Sequence, residues 1–186
     1  MLCSYDRCMS RYRRSFDGTT YFFTLVAYRR RPILCDEPVR RALRDGFERV
    51  RTRLPFQINA IVLLPDHLHC ILTLPDGDTD YVARWSQIKH HVAYSCRDTH
   101  GQFRVTDAQQ KRREAPIWQR KFWEHQIRDE GDMERHVDYI HYNPVKHGLT
   151  VSAAEWPYST FAKFVEAGNY PADWGGTDAA RSMTLE

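Results

Sequence analysis

Apolar positions along this chain switch repeatedly between a period of two and a period near 3.6, and the switches mark its elements. Thr20 to Tyr28 (TYFFTLVAY) is β-branched and aromatic and reads as a strand, ended by Arg29-Arg30-Arg31-Pro32. Val39, Leu43, Phe47, Val50 and Leu54 then recur at helical spacing. Asp36 suits the N-cap, Pro38 the first turn and Pro55 the stop, while Arg40, Arg41, Arg44 and Arg51 face water. Phe56 to Leu64 and His67 to Leu74 are apolar strands joined by Pro65-Asp66, a length that suits an antiparallel hairpin. A second helix is expected over 80–96, with Tyr81, Trp85, Ile88 and Val92 inward and Arg84, Lys89, His90 and His91 on its surface.

Residues 97–114 lack an apolar period and predict a long surface loop; Ile117 to Arg128 returns to a strand pattern. Asp132 can cap a third helix, whose core side is Met133, Val137 and Ile140 and whose end is brought by Asn143-Pro144 and Gly148. A short helix is expected within 151–168. Residues 1–16 read as a basic arm, and the stretch from Asn169 on, rich in Gly, Pro, Ala and Asp, reads as a tail. The order strand, helix, strand, strand, helix, strand, helix implies one antiparallel sheet with helices packed on one face, an α+β sandwich.

Composition narrows the class without naming a function. A chain of 186 residues suits one domain. No apolar run approaches the roughly 20 residues of a membrane helix, and the start has no signal-peptide pattern, so the cytoplasm is the expected place. Five scattered cysteines with no CxxC pair predict free thiols rather than a zinc ribbon or a disulfide framework. The net charge of +3 decides nothing, but its distribution does more. Basic clusters at 11–14, 29–31, 111–113 and 120–121 stand beside Tyr12, Phe16, Tyr28, Trp118, Phe122 and Trp123, a mixture that either grips phosphates and bases or merely solvates a rim.

The chemistry centres on His67-Leu68-His69. On a strand these imidazoles project from one face, while Leu68 and Cys70 go to the other. A metal held by two histidines keeps open positions, and with an oxygen as third ligand Mg²⁺, Mn²⁺ and Zn²⁺ all remain compatible. An isolated pair of this kind is more readily two hydrogen-bonded histidines. On the third helix, Tyr139 stands off the core side and Asn143 is its neighbour one turn on, with Arg135, His136 and Lys146 around the same surface. A phenol beside an amide and cations suits nucleophilic attack on a phosphodiester; helix geometry alone fits a half-buried structural tyrosine better.

At these two segments the chain resembles a known family. HLH at 67–69 matches the HUH motif of single-tyrosine transposases, and HVDYIHYNPVKHG (136–148) looks like the tyrosine helix of REP-associated tyrosine transposases. GTTYFFT (18–24), PFQINAIVLLPDHLHCILTLP (55–75), IWQRKFWEHQIR (117–128), WPYSTF (156–161) and NYPADWGG (169–176) also look like family segments in family order. The resemblance implies a ferredoxin-like HUH sandwich over residues 1–176, with a tail at 177–186. It implies a metal-dependent endonuclease and strand transferase that cuts single-stranded DNA at REP-type palindromic hairpins through a 5′-phosphotyrosine.

In that reading Tyr139 is the nucleophile, His67 and His69 bind Mg²⁺ or Mn²⁺, and Asn143 occupies the place of a third ligand. Arg13, Arg14, Arg29, Arg30, Arg31, Arg120, Lys121 and Lys146 are the expected DNA-binding residues, and the working unit is a monomer. Tyr142 and Tyr94 are the other tyrosines considered, Tyr142 on the solvent side of its helix, and His125 is an accessory or structural histidine. Tyr170 and Trp174 suggest that the tail folds back over a basic DNA groove. Two other readings stay open: a catalytically inactive hairpin-binding protein, and a hydrolase using a metal-activated water.

Overall fold

A computed structural model of the chain describes residues 19–100 and 117–175. The basic arm with Arg13 and Arg14, most of the 97–114 loop and the 177–186 tail lie outside the described residues. Strands β1 (Thr20–Val26), β2 (Gln57–Leu63), β3 (His67–Thr73) and β4 (Trp123–Gln126) form one sheet in the order β2-β3-β1-β4, antiparallel throughout. Helix α1 (Glu37–Arg53) links β1 to β2, and α2 (Tyr81–Ser95) lies between β3 and β4. This is the β-α-β-β-α-β ferredoxin-like arrangement, so the expected α+β class holds. Two further helices follow, α3 (Glu130–Lys146) and α4 (Phe161–Glu166).

The expectation of helices on one face is corrected. Tyr21, Phe23 and Leu25 alternate with Phe22 along β1, and both sets are buried. The first set packs with Leu68, Cys70 and Leu72 beneath Leu43 and Phe47 of α1 and Trp85 and Ile88 of α2. On the opposite face Phe22, Val62 and Ile71 pack against Met133, Val137 and Ile140 of α3. Strand β3 is buried on both sides of its pleat because both sides are covered.

Four local expectations also change. The strand expected over 117–128 is paired with β1 only at 123–126, apart from a single bridge at Trp118. The carbonyls of Gln119 and Arg120 turn to the Lys89 ammonium, 2.6 and 3.0 Å away, instead of to a ladder, which places Lys89 beneath them rather than in solvent. Helix α3 starts one turn early, with Asp129 as N-cap accepting from the Asp132 N–H, and runs through Pro144 to Lys146 before Gly148 turns it at φ +65°. Pro144 sits in the last turn, and its missing N–H leaves the Ile140 carbonyl without its intrahelical donor just before the helix ends. Arg97–His100 is a single helical turn where a loop is expected.

Arg84, expected on the surface, is fully buried. Its guanidinium bonds both carboxylate oxygens of Asp78 at 2.6 and 3.2 Å, and the Asp80 and Pro55 carbonyls at 2.8 Å each, tying the entry of α2 to the entry of β2. Arg84→Met fills similar space but strips two carbonyls and a carboxylate of their donor. It is expected to lower stability by about 2–3 kcal/mol, read as a lower urea midpoint at unchanged m-value; an unchanged midpoint contradicts this clamp.

Candidate active site

Register places the histidine pair. Leu68 goes to the α1/α2 side with Cys70, so His67 and His69 face α3, as the strand alternation requires. Their ring centroids are 4.9 Å apart. His69 stands opposite Thr24 of β1, and their Nδ1 and Oγ1 atoms are 2.8 Å apart. His67 donates through Nδ1 to Asp66 at 2.6 Å, and Asp66 also accepts from the Arg30 guanidinium at 3.1 Å.

The turn carrying Asp66 is itself pinned. The Pro65 and Asp66 carbonyls accept from the Leu34 and Ala27 N–H groups. Arg29 and Arg30 adopt left-handed backbone (φ 55° and 51°), costing about 1–2 kcal/mol each for residues with a Cβ. Burial drives the Asp66 carboxyl upward, but hydrogen bonds from His67 and Arg30 outweigh it and hold the group below its usual range. Because both Nδ1 atoms are engaged, each ring is left with Nε2 for another partner, the arrangement in which outer partners fix ligand histidines. His69 Nε2 is buried with no partner. Burial first, then the neighbouring His67, His147 and Lys146, push the His69 pKa well down, so this imidazole is neutral.

Helix α3 supplies the facing wall. Tyr139 is half-buried, with its ring centroid 5.1 Å from that of His69, and Lys146 Nζ lies 5.0 Å from its centroid. His147, just past the helix end, lies 5.1 Å from His67 by ring centroids. Positions 139, 143 and 147 are one turn apart, so Asn143 stands on the stripe between the two contacts. Asn143 is fully buried, and neither Oδ1 nor Nδ2 has a hydrogen-bond partner. Orphaned buried amide and imidazole atoms cost about 1–3 kcal/mol each. Their concentration between His69 and Asn143 fits residues shaped for a ligand that satisfies them.

The expected residues are thus partly brought together. His67, His69, Tyr139, Asn143 and Lys146 share one face; His147 joins them, and its spacing from Asn143 was the signal for it. Arg30 reaches the site through Asp66, Arg29 is exposed beside it, and Arg31 bonds back to the Tyr28 carbonyl. Arg120 and Lys121 are exposed ahead of β4. Arg135 and His136 turn away from Tyr139 to Asp132, at 3.4 Å and 3.2 Å from its carboxylate.

Tyr94 is exposed on α2, the helix that packs on the other face of the sheet. Tyr142 is buried rather than in solvent, because residues 169–175 fold back on this side of α3: Trp174 meets Tyr142, and the Tyr170 hydroxyl donates to Asp138. The expected cover of a DNA groove is instead a brace on the tyrosine helix. His141 completes it, buried among Phe161, Phe164 and Tyr170 with Nε2 3.0 Å from Thr160 Oγ1.

A second group, His125, Asp132 and His136, has potential ligand atoms within 4.8 Å of one another. Its atoms are largely committed already. His125 Nε2 lies 2.8 Å from Asp132 Oδ2, which also accepts from the Arg128 N–H, and His136 Nδ1 lies 2.7 Å from the Asp132 carbonyl. His69 Nε2 and both Asn143 amide atoms, by contrast, have no partner, so that group has ligand atoms left to offer an ion.

A ferredoxin-like sheet that presents two strand histidines to a tyrosine helix defines the HUH single-tyrosine class. The family model described as "Transposase IS200 like" matches residues 15–143. The chain is 43% identical to the REP-associated tyrosine transposase of Escherichia coli (strain K12) over 169 residues, 90% of this chain and 92% of that protein. A solved structure of a REP-associated tyrosine transposase bound to a REP hairpin superposes with a TM-score of 0.72 at 42% identity, covering 91% of this chain and 94% of the other. The chain belongs to the REP-associated tyrosine transposases.

The brace has a pH signature. Burial lowers the His141 pKa from 6.5 to about 3, so the unfolded chain binds this proton first on acidification. Stability is therefore lost as the pH falls from about 6.5 toward 3, at up to about 1.4 kcal/mol per pH unit from this group. His141→Phe should flatten the dependence of the urea midpoint over that window; an unchanged slope contradicts the assignment.

Proposed function

We propose that this protein cuts and rejoins single-stranded DNA beside palindromic hairpins, with Tyr139 as nucleophile and His67, His69 and Asn143 as ligands of Mg²⁺ or Mn²⁺. The observation that carries the reading is the Tyr139 ring 5.1 Å from that of His69, on a face whose unpartnered buried atoms belong to His69 and Asn143. The hairpin is carried over from the relative solved with a REP hairpin.

A divalent ion bound there supplies Lewis-acid polarisation of the scissile phosphate. The chain's own residues do the rest. Lys146, with Nζ 5.0 Å from the Tyr139 ring centroid, offers a cation to the phosphate that Tyr139 attacks. The Tyr139 oxygen bonds to phosphorus as the bond to the 3′ oxygen breaks; the phenol's proton is released and one ends on the freed 3′-OH. A 5′-phosphotyrosine remains. One ester replaces another, so the reverse attack by a 3′-OH needs no nucleotide cofactor. Asp66 and Thr24 hold the two imidazoles in register, and Arg29, Arg30, Arg120 and Lys121 offer cations to the backbone phosphates. Arg13 and Arg14 are kept as proposed DNA contacts from the sequence, and the working unit as a monomer.

Incubating a 5′-flanked labelled hairpin with protein and Mn²⁺ should yield a covalent protein–DNA adduct on denaturing gels, absent with chelator and absent in Tyr139→Phe. Binding without an adduct under any divalent ion supports an inactive hairpin-binding protein, and cleavage that survives Tyr139→Phe supports a metal-activated water. Asp66→Asn keeps Tyr139 but loosens His67; it should still form the adduct while needing about 10- to 100-fold more metal. Equal metal dependence in the two proteins contradicts the role given to Asp66.

A further inference from the structure

We propose that Trp123 is a stacking platform for one unpaired nucleobase of the strand that runs through the active site, an inference that rests on the strand-cutting reading above. Thr24 pairs with His69 on one side and with Trp123 on the other, so the three form one row across the sheet. Two strand spacings put Trp123 roughly 10 Å from His69, on the same face. Phe22 bridges the indole and the proposed nucleophile: its ring lies 5.6 Å from that of Trp123 and 6.1 Å from that of Tyr139.

The indole is 55% exposed on a strand at the edge of the sheet. It is nonetheless held. Its ring is parallel to His125 (5.9 Å, 4°), and His125 stacks in turn on His136 (4.7 Å, 13°). Asp132 fixes both imidazoles, through His125 Nε2 at 2.8 Å and His136 Nδ1 at 3.2 Å. This network explains why a polar cluster beside the active site is spent on internal hydrogen bonds: it stiffens the ring stack that ends in Trp123. Exposed cations flank it: Arg120 and Lys121 shortly precede Trp123 in the chain, and Arg128 and Arg135 lie 3.9 and 3.4 Å from Asp132 in the supporting cluster. A rigid exposed aromatic ring among cations is how single-stranded nucleic acid is gripped without base reading. A protein partner offers less reason for cations beside an exposed indole in the row of the active-site histidine.

The test is binding by fluorescence anisotropy, in chelator so that no strand is cut. The probes are a hairpin with a single-stranded flank, the same hairpin without the flank, and a series with one abasic site moved along the flank. Wild type should lose about tenfold in affinity at one abasic position. Trp123→Ala should bind the flanked hairpin about tenfold more weakly, bind the unflanked one as wild type does, and be indifferent to that abasic position. Trp123→Phe should keep most of the affinity, and an unchanged urea midpoint in all variants accompanies this outcome. The proposal is overturned if Trp123→Ala binds both hairpins normally, if it weakens both equally, or if the abasic penalty persists without the indole. Failure of the wild type to bind any flanked hairpin overturns the strand-cutting reading instead.

Discussion

The rotation of helix α3 about its own axis governs the rest of the site. Met133, Val137 and Ile140 sit against Phe22, Val62 and Ile71, and this apolar contact permits one setting of the helix on the sheet. With the stripe at 133, 137 and 140 turned inward, positions 139, 143 and 147 swing toward the end of β3 where His67 and His69 stand. A turn of one residue either way, about 100°, would take Tyr139 away from the histidines and expose part of the core. The outer brace of His141, Tyr142, Tyr170 and Trp174 resists such a turn from the other side.

The second constraint is polar satisfaction. Nearly every buried polar group around the site has a partner: His67 has Asp66, His69 has Thr24 through Nδ1, and His125 and His136 share Asp132. Against that background the unpartnered His69 Nε2 and Asn143 amide stand out. Both β3 histidines are engaged on the Nδ1 side, which leaves their Nε2 atoms for a further partner.

Much of this was readable from residue order. Strand alternation placed His67 and His69 on one face and Cys70 on the other, and the helical stripe identified Tyr139 and Asn143 as neighbours. What escaped was long-range. Arg84 looks like a surface residue until Asp78 and the Pro55 carbonyl are brought to it, and Tyr142 looks solvent-facing until Trp174 returns from the end of the chain. Phe22 between Tyr21 and Phe23 on β1, and Ile71 between Cys70 and Leu72 on β3, put apolar side chains on both faces, but an ordinary period-two reading does not say what covers the second. His147 needed only one more helical turn beyond Asn143.

The proposed ion-binding face is built from β3 and α3. Mn²⁺ bound to the protein and observed by electron spin echo modulation measures it most directly, because nitrogen couplings report coordinated imidazoles. The account predicts two imidazole couplings, one lost in His67→Ala and one in His69→Ala, with the spectrum of His125→Ala unchanged. Couplings that vanish in His125→Ala and survive both β3 substitutions would contradict it.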